Sequence, residues 1–296
     1  MSGFDAINLS LLPPPAVVEA LDFEAILTAM KADLIARAPE LAPVMALESE
    51  PAVKLLQVCA YRELIIRQRI NDAARAVMLA TATGTDLENL AALYGVTRLT
   101  ITPADTSVTP NVPAVLESDA AFRARIQLAL EGFSTAGPTG AYLFHALSAD
   151  PLVKDVYVDS PTPGTVRVTV LSHEANGVPT GPVLAAVAVA LNAEEVRPLC
   201  DQVSVQAATI VNYTVSASVE FYDGPDPAVV LAEAIATVTS YVSQAHALGR
   251  DITFSGLYAA LHRPGVARVT LTSPAAEVAV APTAAAWCTA INVVAA

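Results

Sequence analysis

Positive charge is scarce. The 296 residues carry 16 Lys and Arg against 29 Asp and Glu, a net charge of −13 with a pI near 4.6. There is no basic stripe to neutralise phosphates, so nucleic acid is not expected as a partner. Long apolar runs are missing too. The longest, about Val183 to Leu191, falls far short of the ~20 residues that a bilayer span needs. No basic segment followed by an apolar one opens the chain as a secretory signal would. Neither membrane insertion nor export is expected. Cysteine is rare: Cys59, Cys200 and Cys288 are odd in number and far apart, which is no disulfide framework and suits synthesis in a reducing cytoplasm. Each reads as a small apolar residue.

Catalytic signatures are absent as well. The sequence holds no Gly-x4-Gly-Lys-Ser/Thr phosphate loop, no Gly-x-Gly-x-x-Gly after a strand and no Gly-x-Ser-x-Gly elbow. His145, His173, His246 and His262 stand alone, with no His-x3-His or Cys-x2-Cys near them, so no zinc site is signalled. His145 and His262 lie near helix ends, where a polar cap is the ordinary role; His173, beside the Asn176-Gly177 turn, reads as exposed. Acid pairs such as Glu194-Glu195 and Asp22/Glu24 read as solvated helix ends. The expectation is no catalytic residue, no cofactor, no metal and no enzyme. The competing reading, an unrecognised enzyme with a pocket between two α+β domains, would need converging titratable groups there.

What the chain has is apolar surface: 54% hydrophobic residues, only 15% charged, mean hydropathy +0.50. Such a surplus in a protein without a membrane span belongs in subunit interfaces. The longest organised stretch runs from Glu48 to about Ala80. Ser49-Glu50-Pro51 is a helix start, no Gly or Pro interrupts the run from there to Ala80, and Gly84 reads as the stop. At ~1.5 Å per residue this is a rod of roughly 45 Å. Leu55, Cys59, Ile66, Ile70, Ala73, Val77 and Ala80 share one face, with Arg62 the polar exception, and Leu56, Ala60 and Leu64 form a second apolar row. The remaining face carries Lys54, Arg67, Arg69 and Arg75 against Glu63 and Asp72. It is open to two readings, a solvated face or a docking surface for an acidic partner.

Glu50-Pro51, Lys54, Gln57, Ala60-Tyr61-Arg62-Glu63-Leu64 and Arg67-Gln68-Arg69-Ile70-Asn71-Asp72 closely resemble the baseplate protein J family of contractile-tailed phages and phage-tail-like bacteriocins. The likeness continues through Gly84-Thr85-Asp86-Leu87, Tyr94-Gly95 and Arg98 to Asp105, and returns at Gly249-Arg250-Asp251-Ile252 and Tyr258 to His262, so it spans nearly the whole chain. The resemblance implies a structural baseplate wedge subunit. Two copies would join one baseplate protein I, wedges would ring the hub, and the ring would couple fibre engagement to sheath contraction. It implies contacts with other baseplate components and the sheath, and a place in a virion or phage-tail-like particle assembled in a bacterial cytoplasm. Leu56, Ala60, Leu64, Arg67 and Arg75 are the expected partner-facing residues.

The fold class expected is α+β: an N-terminal helical region with one long helix, then two small sheet-plus-helix domains. Residues 1–21, with Pro13-Pro14-Pro15, read as an extended arm that docks on a neighbour. Residues 22–95 read as a helical bundle-forming domain and 96–118, with Pro103, Pro110 and Pro113, as an extended connector. Residues 119–208 and 209–296 read as the two α+β domains, with Phe122, Ile126, Leu130 and Phe133 on one face of the first helix. Pro151 to Pro161 aligns without gaps on Pro264 to Pro274, a spacing open to duplication or to chance.

Overall fold

The computed structural model describes residues 7–134, 136–224 and 226–296; the first six residues of the expected arm lie outside them. Two compact units, 7–97 and 98–296, make an α+β chain.

In residues 7–97, α1 (Phe23–Arg37) begins where Asp22 Oδ1 accepts the amides of Glu24 at 2.8 Å and Ala25 at 3.2 Å, and it stops before Pro39. The long helix, α2 (Pro51–Ala76), has 26 residues, about 39 Å of rod. It ends earlier than Ala80 because the Thr81 hydroxyl donates to the Arg75 carbonyl at 2.7 Å, giving that carbonyl a partner outside the helix. Gly84, expected as the stop, instead opens α3 (Gly84–Ala92) at φ +52°. The α1–α2 contact is filled by Ile26, Leu27 and Ala60, flanked by Phe23, Met30, Leu56 and Leu64.

The segment before α1 is pinned to α2 by a reciprocal pair. Asn71, buried at 2% exposure, donates its Nδ2 to the Glu19 carbonyl at 2.9 Å and accepts the Glu19 amide at 3.2 Å. Asn71→Ala leaves both Glu19 groups without these bonds, a loss of about 1–3 kcal/mol. The expected result is faster proteolytic cleavage between residues 8 and 21 with the helices of this unit intact. The arm thus meets its own chain at Glu19, while Leu11, Leu12 and Val17 stay exposed.

Residues 98–296 open with a short antiparallel ribbon, β1 (Thr100–Thr102) and β2 (Val115–Leu116). Ser118 then caps α4 (Asp119–Leu128). Phe122 and Ile126 are buried as expected, but Leu130 and Phe133 are exposed, because the helix ends at Leu128 and the chain tightens into a 3-10 turn over Glu131–Phe133. The change of period turns the last two residues off the shared face.

After α5 (Thr139–Ala149) come β3 (Val153–Asp159), β4 (Thr165–Ser172), α6 (Gly181–Leu191) and β5 (Gln202–Ala207). They form a sheet of order β3-β4-β5, antiparallel then parallel. Val156, Val158, Val168 and Val170 face Tyr142, Ala146, Val183, Val187 and Leu191 of the helices. Only Ala208 separates β5 from β6 (Thr209–Phe221). The second sheet is completed by α7 (Pro227–Ala245), α8 (Phe254–Leu261), β7 (Val266–Ser273) and β8 (Ala284–Ala295), in the order β7-β6-β8. Along β6, Tyr213, Val215, Ala217 and Val219 alternate into the core, as period-2 patterning requires.

The stretch Gly249-Arg250-Asp251-Ile252 is a structural corner. Gly249 at φ +65° donates its amide to the Ala284 carbonyl, Asp251 Oδ1 accepts the Val280 amide at 2.7 Å, and Ile252 is fully buried. The helix α7 has the length and hydropathy of a membrane span, and its row Val230, Ala234, Val238 and Ala245 is buried in the body of this unit.

The aligned segments occupy like places. Each begins an edge strand, β3 or β7, that follows a helix and runs antiparallel to the middle strand. The connectivity differs, since the middle strand follows the edge strand in the first sheet and precedes it in the second. The likeness is local to helix and strand.

Candidate assembly surface

The helix α2 presents two apolar faces with different fates. Leu56, Ala60 and Leu64 pack on α1 within the chain, so three of the five residues expected at a partner already have an intramolecular occupant. Arg67 is engaged too: its guanidinium donates to Glu63 at 2.9 and 2.5 Å and to both Glu19 carboxylate oxygens at 3.2 Å. Arg75 lies 3.7 Å from Asp72 near the helix end.

The opposite face is uncovered. Leu55, Val58, Cys59, Ile65, Ile66, Ile70 and Val77 are exposed, Ile66 at 60% and Val77 at 71%. At 100° per residue they span about 140° of the helix, and the charged residues within that arc are Arg62 and Arg69, with no acid. Neither forms an ion pair among the described residues. Beside this face a groove of about 420 Å³ is lined by Ile65, Arg69, Asp72, Ala73, Ala76 and Asp86. A contiguous apolar face this long costs solvation unless another surface covers it.

Sequence reasoning missed a buried ionic cluster in residues 98–296. Arg125 and Glu117, 5% and 8% exposed, form a two-pronged pair at 2.9 and 2.7 Å. Arg125 also donates to Ser148 Oγ, and Glu117 Oε2 accepts the Leu99 amide. Arg98 donates to the Glu117 carbonyl and to Asp119 at 2.7 Å each, and both guanidiniums lie over the Phe122 ring. The cluster fastens the β1–β2 ribbon to α4. The signal available in the sequence was Arg98 and Glu117-Ser118-Asp119 at the two ends of the proline-rich segment.

Next to it lies a cavity of about 350 Å³ lined by Glu117, Arg125, Lys154, Asp155 and His173, among others. Most of its charges already serve the fold. The Asp155 oxygens accept the amides of Val156 and Leu248, and burial raises this carboxyl above its ordinary range. Burial pushes the Lys154 ammonium down, and partial desolvation, helped by the Lys154 charge, lowers the His173 imidazole although the residue is exposed. No hydrogen bond joins either side chain to another among the described residues, so no nucleophile is coupled to a base. Among the described residues no cluster of His, Cys, Asp and Glu of metal-ligating kind is found. His145 Nε2 meets the Gly132 carbonyl at 3.1 Å, and His262 closes α8 through its backbone amide.

Three family models match in order along the chain: the Baseplate J-like N-terminal domain over residues 48–105, the central domain over 134–207 and the C-terminal domain over 213–294. The chain belongs to the baseplate J-like family. It is 52% identical over 293 residues to baseplate protein J of Escherichia phage P2, covering 97% of both chains. These matches support a structural role in the baseplate of a contractile tail. The N-terminal match begins just before α2 and takes in the whole of its uncovered face.

Proposed function

We propose that this baseplate J-like chain is a wedge subunit, and that the uncovered face of α2 is where it bundles with a second copy and with the smaller baseplate protein I. The observation that carries the reading is a 26-residue helix with one face packed on α1 and the other exposed and apolar. Arg62 and Arg69, seven residues apart and so ~10 Å apart along the axis, favour an opposing helix with carboxylates at matching spacing. Residues 22–95 form the bundle contacts, 96–118 connect, and the sheet-bearing segments 119–208 and 209–296 contact neighbouring wedges, other baseplate components and the sheath. Such a ring sits in the virion or in a phage-tail-like particle built in the bacterial cytoplasm. It couples fibre engagement to sheath contraction through interfaces with two arrangements rather than through a reaction.

The test is the mass of the purified chain by light scattering, alone and co-expressed with baseplate protein I. A complex with two copies of this chain per partner is the expected result. A monomer that ignores protein I would overturn the reading.

A further inference from the structure

The two sheets of residues 98–296 meet along a narrow seam. Its apolar part is Leu171 of β4, the linking Ala208 and Ala285 of β8, all buried, with Ile210 and Leu248 beside them. One hydrogen bond and one close packing contact bridge the seam. The Leu248 amide donates to Asp155 Oδ2 on β3 at 2.9 Å, and His246, at the end of α7, packs against Gly177 in the turn after β4.

His246 is 5% exposed. Its Nδ1 lies 2.7 Å from the Ala286 carbonyl oxygen. A carbonyl only accepts, so Nδ1 carries the proton and Nε2 is a bare lone pair. That Nε2 is buried with no hydrogen-bond partner. It faces Gly177, where a Cβ would stand 2.7 Å away and where φ is +97°, so glycine alone fits. The Trp287 ring, the single tryptophan of the chain, meets the imidazole edge-on at 5.0 Å.

The charged surroundings oppose an imidazolium. The Lys154 ammonium on β3 acts on the ring. Asp155 beside it is bound to two amides, and in the turn His173 is influenced by Lys154 and Glu117. Burial lowers the His246 pKa, the bond to Ala286 works the other way, and Lys154 adds to the depression. A base depressed in the folded state contributes stability that is full above its unfolded pKa of about 6.5 and is lost as pH falls through and below that value. Asp155 acts in the opposite sense: its carboxyl is raised by burial, so acidification relieves it.

We propose that this seam is an acid-opened latch with His246 as its proton acceptor. A proton arriving at Nε2 places a charged N–H against Gly177 and parts the turn after β4 from β8, loosening the two sheets from each other.

Trp287 reports the event directly, because a protonated imidazole quenches a neighbouring indole. Between about pH 7.5 and about pH 5, its emission is expected to fall in one step with a midpoint below the ordinary histidine value of about 6.5. The protection factor of the Leu248 amide, measured against an unstructured amide at the same pH, should fall about tenfold or more over the same range, while Val215 and Val219 in β6 stay protected. H246Q removes the titrating ring and abolishes the step. K154M moves the midpoint upward by removing a like charge, and D155N leaves the step in place. A step that survives in H246Q, or Leu248 protection unchanged at pH 5, would overturn the latch. If H246Q does not fold, K154M decides alone, and a midpoint that does not rise counts against the proposal.

Discussion

Glu117→Ala is expected to destabilise residues 98–296 by about 3–5 kcal/mol, because it takes from a buried guanidinium the carboxylate that meets it with two bonds. The size reflects how many groups Glu117 satisfies at once. Its two oxygens hold Arg125 at 2.9 and 2.7 Å and accept the Leu99 amide. The Ser148 hydroxyl that Arg125 also reaches is neutral and cannot balance the charge. The midpoint of urea unfolding read by Trp287, which lies in this unit, measures the loss. Removing both charges together, as Glu117→Leu with Arg125→Met, should recover much of it, since an apolar pair of similar volume escapes the desolvation cost of the ions. A double-mutant cycle in which the two single changes simply add would show that the pair is not coupled.

Ile66→Glu should leave the fold of the monomer nearly unchanged, within about 0.5 kcal/mol, since Ile66 is exposed on the uncovered face of α2. In the proposed wedge it should be severe. A carboxylate forced into the centre of an apolar interface costs about 2–4 kcal/mol, roughly 30- to 1,000-fold in affinity. The readout is loss of co-purification with baseplate protein I while circular dichroism stays as in the parent chain. Leu56→Glu is the informative contrast. It strikes the row packed on α1 and should instead lower the stability of residues 7–97. An Ile66→Glu chain that still assembles at full affinity would move the docking surface away from this face.

Much of the architecture was legible in the residues. Asp22 and Ser118 as helix starts, Pro51 at the start of α2, and the alternation from Tyr213 to Val219 each have a local cause and appear where it puts them, whereas α2 stops at Ala76 although its Gly- and Pro-free run continues. Two apolar rows on α2 were also legible, because 3.6-residue periodicity is a property of the chain alone. The fate of each row was not. Leu56, Ala60 and Leu64 are covered only because α1 folds back on them, a long-range contact that leaves no mark in the spacing. The start of β8 was not legible for a related reason. Ala284, Ala285 and Ala286 have little intrinsic strand preference, and they lie in a strand because Leu171 and His246 come close against these small residues, and because they pair in register with Thr209, Ile210 and Val211 of β6.

The same division holds for the polar residues. The sequence by itself determined the class of this protein: few charges, no catalytic signature, a long amphipathic helix and α+β domains of the baseplate J-like kind. Tertiary structure alone decided that Glu117 and Arg125 share one buried pair, that Asn71 holds Glu19, and that His246 stands against Gly177 with Nε2 bare. The reason is physical. Helix period, caps and strand alternation are set by neighbours a few residues away, whereas desolvation and pairing of a polar group depend on which distant segments close over it.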